Sequence, residues 1–195
     1  MTAEDTQVAS PTKRVLAVVL FNLLVYIVIG LPNAVLTIFV QNSLGFSTTI
    51  AGLAFSLQYL ATFAARPSAG RLVDSKGPKP VVAIGLAACL ISGLCMLAAG
   101  LLVHLSALSL AIIFLSRLFL GWAESWAATG VIVWNIRRVG AKNTSVAISW
   151  NGICSYGGIA LGAPVGAALG HLAAPFGDLT VSVLSQHCSP LSALS

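Results

Sequence analysis

Five long apolar runs, Val15–Val40, Thr48–Ala69, Pro80–Val103, Leu108–Val133 and Thr144–Gly170, leave this chain few ways to fold. Each exceeds the roughly 18 residues at which an apolar stretch reads as a membrane-spanning helix. Inside lipid every backbone N–H and C=O must find its partner within the protein, so only helices and closed barrels can cross. Barrel strands need only about 10 alternating residues, and these runs are longer and continuous. The expected fold is all-α, a polytopic membrane helix bundle with about five spans. Charge content agrees: 8% of residues are Asp, Glu, Lys or Arg, against about 25% in soluble domains.

The basic residues sort by connection. Lys13 and Arg14 precede the first run, Arg66, Arg71, Lys76 and Lys79 surround the joint between the second and third, and Arg137, Arg138 and Lys142 lie between the fourth and fifth. The other connections, Gln41–Ser47 and His104–Ala107, carry no Lys or Arg. Basic loops stay cytoplasmic, so the tail 1–14 and these two joints are expected inside. The net charge of +5 is thereby accounted for, and no nucleic-acid partner is expected. The first run is too long for a signal peptide, whose apolar core is roughly 7–15 residues.

Cys89, Cys95, Cys154 and Cys188 form no C-x-x-C pair, so neither a disulfide framework nor a metal site is expected. Histidines 104, 171 and 187 lie at or beyond the edges of the runs, no Ser/His or Asp pair has catalytic spacing within them, and no phosphate-binding glycine loop is present. No enzyme activity and no cofactor are expected.

Polar residues within the runs follow helical spacing. Asn22, Tyr26 and Asn33 fall on one face of the first run, where Pro32 invites a kink, and Gln58, Thr62 and Arg66 on one face of the second. Such stripes either face a wet cavity or hydrogen-bond helices together. Glycines 158, 162, 166 and 170 line one face of the fifth run, with Pro164 inside it, a pattern that lets helix backbones approach closely. The four tryptophans, Trp122, Trp126, Trp134 and Trp150, suit interface anchoring or packing more than ligand stacking.

Arg117 and Glu124 are the only fully charged residues deep within a run. Ionisable groups at membrane depth are costly and face the bundle interior. Seven residues apart, they share a face but stand roughly 10 Å apart along the axis, too far for direct pairing. Each needs another partner. A carboxyl there can bind and release a proton, and the guanidinium can hold an anionic group; the alternative is a purely structural ion network.

The connection Gly70–Lys79 is short, charged and bounded by glycines, with Asp74 among Arg71, Lys76 and Lys79. Its pattern Gly-x-x-x-Asp-x-x-Gly-x-Lys resembles the loop between spans 2 and 3 of major facilitator superfamily transporters. It differs at Ser75 and Pro78, where basic residues are usual. Arg117-Leu118-Phe119-Leu120-Gly121 is similar to that superfamily's span-4 motif. Gly158–Gly166 is similar to the Gly-Pro motif of span 5 in the efflux branch, with Ala163 inserted before Pro164. With Gly30-Leu31-Pro32, Arg66-Pro67, Gly121-x-x-Glu124-Ser125 and Ser149-Trp150-Asn151-Gly152, the chain resembles the YhhS/YfcJ-type bacterial subgroup over about Val15–Gly170.

The resemblance implies secondary transport of a small solute by alternating access in a bacterial inner membrane, proton-coupled and directed outward. It implies a gating role for Gly70, Arg71, Asp74, Gly77 and Lys79, and a coupling or substrate role for Arg117 and Glu124. Asn22, Tyr26, Gln58 and Asn151 are further cavity candidates, and Gly158, Gly162, Pro164 and Gly166 serve helix packing. The superfamily has twelve spans. The residues after Pro175 do not resemble a sixth, and 171–195 are expected to form an irregular tail of a truncated or frameshifted chain that cannot transport without a C-terminal half. The alternative is a non-transporting helix module that packs against another membrane protein, for which the glycine stripe would serve.

Overall fold

The structure, a computed structural model, describes residues 11–33 and 35–173. Five long helices follow one another: α1 (Pro11–Gly30), α2 (Thr48–Lys76), α3 (Pro78–Leu101), α4 (Ser106–Val139) and α5 (Thr144–Ala173). The described residues are an all-α antiparallel bundle. By length and composition α2, α3 and α4 suffice to cross a membrane, and Val15–Gly30 is a shorter apolar helix.

The first run differs from the expected single span. Proline has no N–H to give the preceding turn, and the helix stops at Gly30 rather than kinking. Tighter, three-residue turn bonds take over, from Asn33 N–H to Gly30 O and from Val35 N–H to Pro32 O, both at 3.1 Å. A short helical segment, Leu36–Ile38, runs into a wide π turn at Phe39–Ser43. Asn33 therefore lies in the turn and does not extend the face of Asn22 and Tyr26.

The connection Gly70–Lys79 also differs. Nothing before Gly77 interrupts the helix, so α2 continues through Gly70 and Asp74 to Lys76. One residue reverses the chain. Gly77 is both the C-cap of α2 and the N-cap of α3, at φ 83 and ψ 167, a conformation open to glycine and strained for other residues. Pro78 then begins α3, where a missing N–H costs nothing. Gly140 adopts a similar φ of 79 and ψ of 162 after α4. Gly70 needs no such freedom and has open space around it. At the far end α5 continues through His171 to Ala173; the remainder of the expected tail lies outside the described residues, as does Cys188.

Helix α4 is the central post. It packs against α3, α2 and α1, while α5 packs mainly against α1. Buried side chains form three layers along the bundle. At the basic end are Val15, Val18, Val82, Val131 and Ala147; in the middle Val25, Ala88, Leu120 and Ala123; at the opposite end Leu36, Val40, Ala54 and Ile113. Small residues let the backbones close up. A Cβ on Gly121 would strike Gln58 O and Thr62 N of α2, and one on Gly85 would strike Ala127 of α4.

The glycines of α5 do the same against α1. A Cβ on Gly158 would meet Tyr26 Cβ at 2.7 Å, one on Gly162 would strike Ile27 O, and one on Gly166 would strike Leu31 O. The stripe is thus covered at these three positions by α1 and by Leu31 just beyond its end, and it is not an exposed face waiting for another protein. Pro164 points outward, exposed.

Candidate functional site

The middle of the bundle carries one polar network, and Glu124 is its focus. Its position near the centre of α4 follows from the helix running from Ser106 to Val139. The missing side chain of Gly121, one turn earlier, brings α2 close enough to reach it. Three donors from two other helices converge on the carboxylate. Tyr26 of α1 donates its hydroxyl to Oε1 at 3.3 Å. From α2, Thr62 donates to Oε2 at 3.1 Å and Gln58 Nε2 donates to Oε2 at 3.5 Å.

Arg117 is fully buried two turns away. Its Nη1 donates to Gln58 Oε1 at 3.2 Å, its Nη2 reaches Met96 Sδ at 3.8 Å, and the guanidinium stands 5.8 Å from the Phe55 ring centre. Gln58 therefore bridges the two charges. Guanidinium only donates and carboxylate only accepts, so one orientation of the amide satisfies both: oxygen toward Arg117, nitrogen toward Glu124. The separation along α4 is made good by a side chain from α2. Arg117 Nε remains without a partner. Arg117 also forms part of the wall of a 580 Å³ groove, otherwise mostly apolar, between the end of α1 and helices α3 and α4.

Thr62 has a single hydroxyl proton and two acceptors, Glu124 and its own helix's Gln58 O at 3.0 Å. It can turn from one to the other without moving a helix. Spacing had placed Thr62 in the α2 stripe; its role at Glu124 emerges only once α4 is set beside it. Arg66, last in that stripe, is exposed and stands outside the network.

The remaining cavity candidates form a second bridge, which adjoins the first where Ser155 stands beside Tyr26. Asn22, fully buried on α1, donates through Nδ2 to Ser155 Oγ at 2.8 Å and to the backbone oxygen of Asn151 at 3.4 Å. The side-chain oxygens of Asn22 and Asn151 have no partner. Ser155 was not singled out in the sequence, since serine at helical spacing carries no signal by itself. Asn135, buried on α4 with neither amide atom partnered, was missed for the same reason.

The residues of the expected gate lie apart, at the basic end. Asp74 is exposed and, among the described residues, forms no hydrogen bond or ion pair. Its neighbours point elsewhere: Arg71 Nε donates to Pro67 O at 3.3 Å, and Lys79 Nζ lies 5.5 Å from the Trp134 ring centre. The expected compact charge cluster is thus not closed on itself. Asp74 is twelve residues beyond Thr62 on α2, about 18 Å along the axis, so gate and central network are distinct places. Trp122 and Trp126 stack at 6.1 Å, and Trp126 donates to Ser68 Oγ at 3.1 Å, binding α4 to α2.

The sequence matches the profile of the Major Facilitator Superfamily over residues 18–177. It is 49% identical over 164 residues to an uncharacterized MFS-type transporter of Burkholderia mallei (strain SAVP1), covering 84% of this chain and 40% of that protein. The same identity and coverage hold for one of Burkholderia pseudomallei (strain K96243). To the uncharacterized MFS-type transporter YhhS of Escherichia coli (strain K12) it is 47% identical over 158 residues, 81% of this chain and 39% of that protein. No solved structure matches. The chain spans about two fifths of the length of these relatives. With its apolar helices and a profile match over most of its length, this multi-pass membrane protein belongs to the Major Facilitator Superfamily.

Proposed function

We propose that the protein is part of a secondary active transporter that exports a small solute in exchange for protons, with Glu124 as the proton carrier. The observation that carries this reading is the Glu124 carboxylate itself, held near the middle of α4 by donors from α1 and α2 and tied through Gln58 to Arg117. Ionised, it accepts from all three donors. Protonated, it loses the charge that draws them and becomes a donor in its own right. Thr62 then turns back to Gln58 O. Proton binding thus loosens the contacts that hold α1 and α2 to α4, which is the kind of change that couples an ion to a helix rearrangement.

Export is supported by the likeness of the Gly158–Gly166 segment to the efflux branch. An inner-membrane location with the N-terminus inside is supported by the sorting of nine of the ten basic residues to one end. Alternating access requires a second helix bundle facing this one, so the reading includes a C-terminal half as partner. Asp74 and its neighbours at the basic end are proposed to act on that facing half.

The test replaces the matched segment of the Escherichia coli relative with residues 18–177 of this chain and reconstitutes the chimera in proteoliposomes. A solute panel is assayed under an imposed pH gradient. At least one solute should move only with the gradient present, and Glu124→Gln should lower that flux at least about tenfold, the equivalent of one charged hydrogen bond. Flux indifferent to a protonophore and to Glu124→Gln would defeat the proposal.

A further inference from the structure

A second recess, of 640 Å³, lies at the basic end, well away from Glu124. It is lined by the last residue of α2, the first turn of α3 and the last turns of α4. Four of its residues are cations: Lys76, Lys79, Arg137 and Arg138. Among the described residues, none of the four side chains forms an ion pair or a hydrogen bond, and Lys79 alone has a partner, the Trp134 ring. Cations near the ends of α2 and α4 suit the helix dipoles. That explains Lys76, Arg137 and Arg138, but it explains neither Lys79 in the first turn of α3 nor why three chain segments bring four cations together around one hollow with no acid in its wall.

Two further features describe the occupant. Trp134 forms part of the wall, stacked on Phe21 of α1 at 6.0 Å and covered by Lys79; a half-buried indole at a helix end is the usual marker of the bilayer interface. Below the recess, the outward face of α3 is a continuous apolar strip. From Lys79 it descends through Ala83, Ala87, Leu90, Leu94, Leu97 and Leu101, all exposed, the four leucines by 65–77%. A ligand that fits both parts has an anionic head and a long apolar tail.

We infer that this recess binds the phosphate group of an anionic phospholipid, with the acyl chains lying along α3. The shared chemistry, a phosphate oxyanion among Lys and Arg donors, would also suit free phosphate; the strip favours the lipid. The inference needs only that these helices cross a bilayer and is independent of which solute or ion is moved.

The full chain is reconstituted in phosphatidylcholine nanodiscs, with Trp122, Trp126 and Trp150 replaced by Phe so that Trp134 alone reports. Phosphatidylglycerol or phosphatidylcholine, each brominated near the head of the acyl chain, is then added in steps. Half-quenching should need about fivefold less phosphatidylglycerol, the effect of one cation at an anionic surface or more. Arg137→Gln combined with Arg138→Gln should remove the preference while leaving quenching by phosphatidylcholine unchanged. Equal quenching by the two lipids overturns the inference. If inorganic phosphate, at constant ionic strength, abolishes the preference at concentrations no higher than the half-quenching concentration of phosphatidylglycerol, the acyl chains add nothing, the site is one for free anions and the lipid assignment falls. Native mass spectrometry of the unsubstituted chain, given equal amounts of both unbrominated lipids, checks the result without the Trp substitutions. Phosphatidylglycerol adducts should dominate by about the same factor, and equal retention overturns the inference.

Discussion

A glutamine amide has one donating and one accepting end, and Gln58 uses both inside the bundle, between Arg117 and Glu124. Gln58→Leu leaves buried Arg117 and half-buried Glu124 each short of a partner, and should cost about 2 kcal/mol, the upper range for polar contacts between membrane helices. Reversible unfolding in mixed micelles measures this. A sharper test exchanges the two groups. Gln58→Glu sets two carboxylates side by side, whereas adding Glu124→Gln leaves one carboxylate, now facing Arg117 directly. The pair should be more stable than the sum of the single changes by about 1–3 kcal/mol; simple additivity would remove the bridge from consideration. Arg117 and Glu124 were legible because charge deep in an apolar run is rare. Tyr26 and Gln58 were legible as helical stripes. Which residue joins which was not, because spacing along one helix says nothing of the helix beside it. Asn22 and Tyr26 share a face of α1, yet Asn22 turns to Ser155 and Tyr26 to Glu124.

Between elements, contact is made by what glycine leaves out. Gly157 and Gly158 are neighbours in α5 with opposite surroundings: a Cβ on Gly157 meets nothing within 4 Å, while one on Gly158 meets Leu23 O at 2.9 Å and Tyr26 Cβ at 2.7 Å. Gly158→Ala should destabilise by about 1–3 kcal/mol through overpacking. Gly157→Ala should be neutral or stabilise by up to about 1 kcal/mol through helix propensity. Thermal melts of both variants in detergent decide it, and similar shifts would argue against the α1–α5 contact. The four-residue glycine spacing announced close packing but not its partner, since any helix could fill it. At Gly30–Val35 the proline forecast a bend, and the full break depended on turn bonds that apolar periodicity cannot register. At Gly70 the glycine marked a loop where the helix continues, because a lone glycine only weakens a helix.

At the scale of the whole molecule, the alternation of basic and neutral joints makes the proposed orientation testable. With Cys89, Cys95, Cys154 and Cys188 replaced, Lys142→Cys should react with an impermeant maleimide only after the cells are opened, and His104→Cys should react in intact cells. Labelling at the reverse positions would invert the proposed topology. The order of the long helices was readable from hydropathy alone. The central position of α4 was not, since an alternating up-and-down order of helices is compatible with several neighbour sets. Gly77 has a mechanical consequence here. Because a single residue serves as the end of α2 and the start of α3, there is no slack between them. A sliding of α2 along its own axis must drag α3 with it, as two rods joined by one rivet move together. A push on α2 near the central carboxylate would therefore be handed on to α3 at the cationic rim, with Pro67, which gives α2 no hydrogen bond at its own turn, as a weak point on the way.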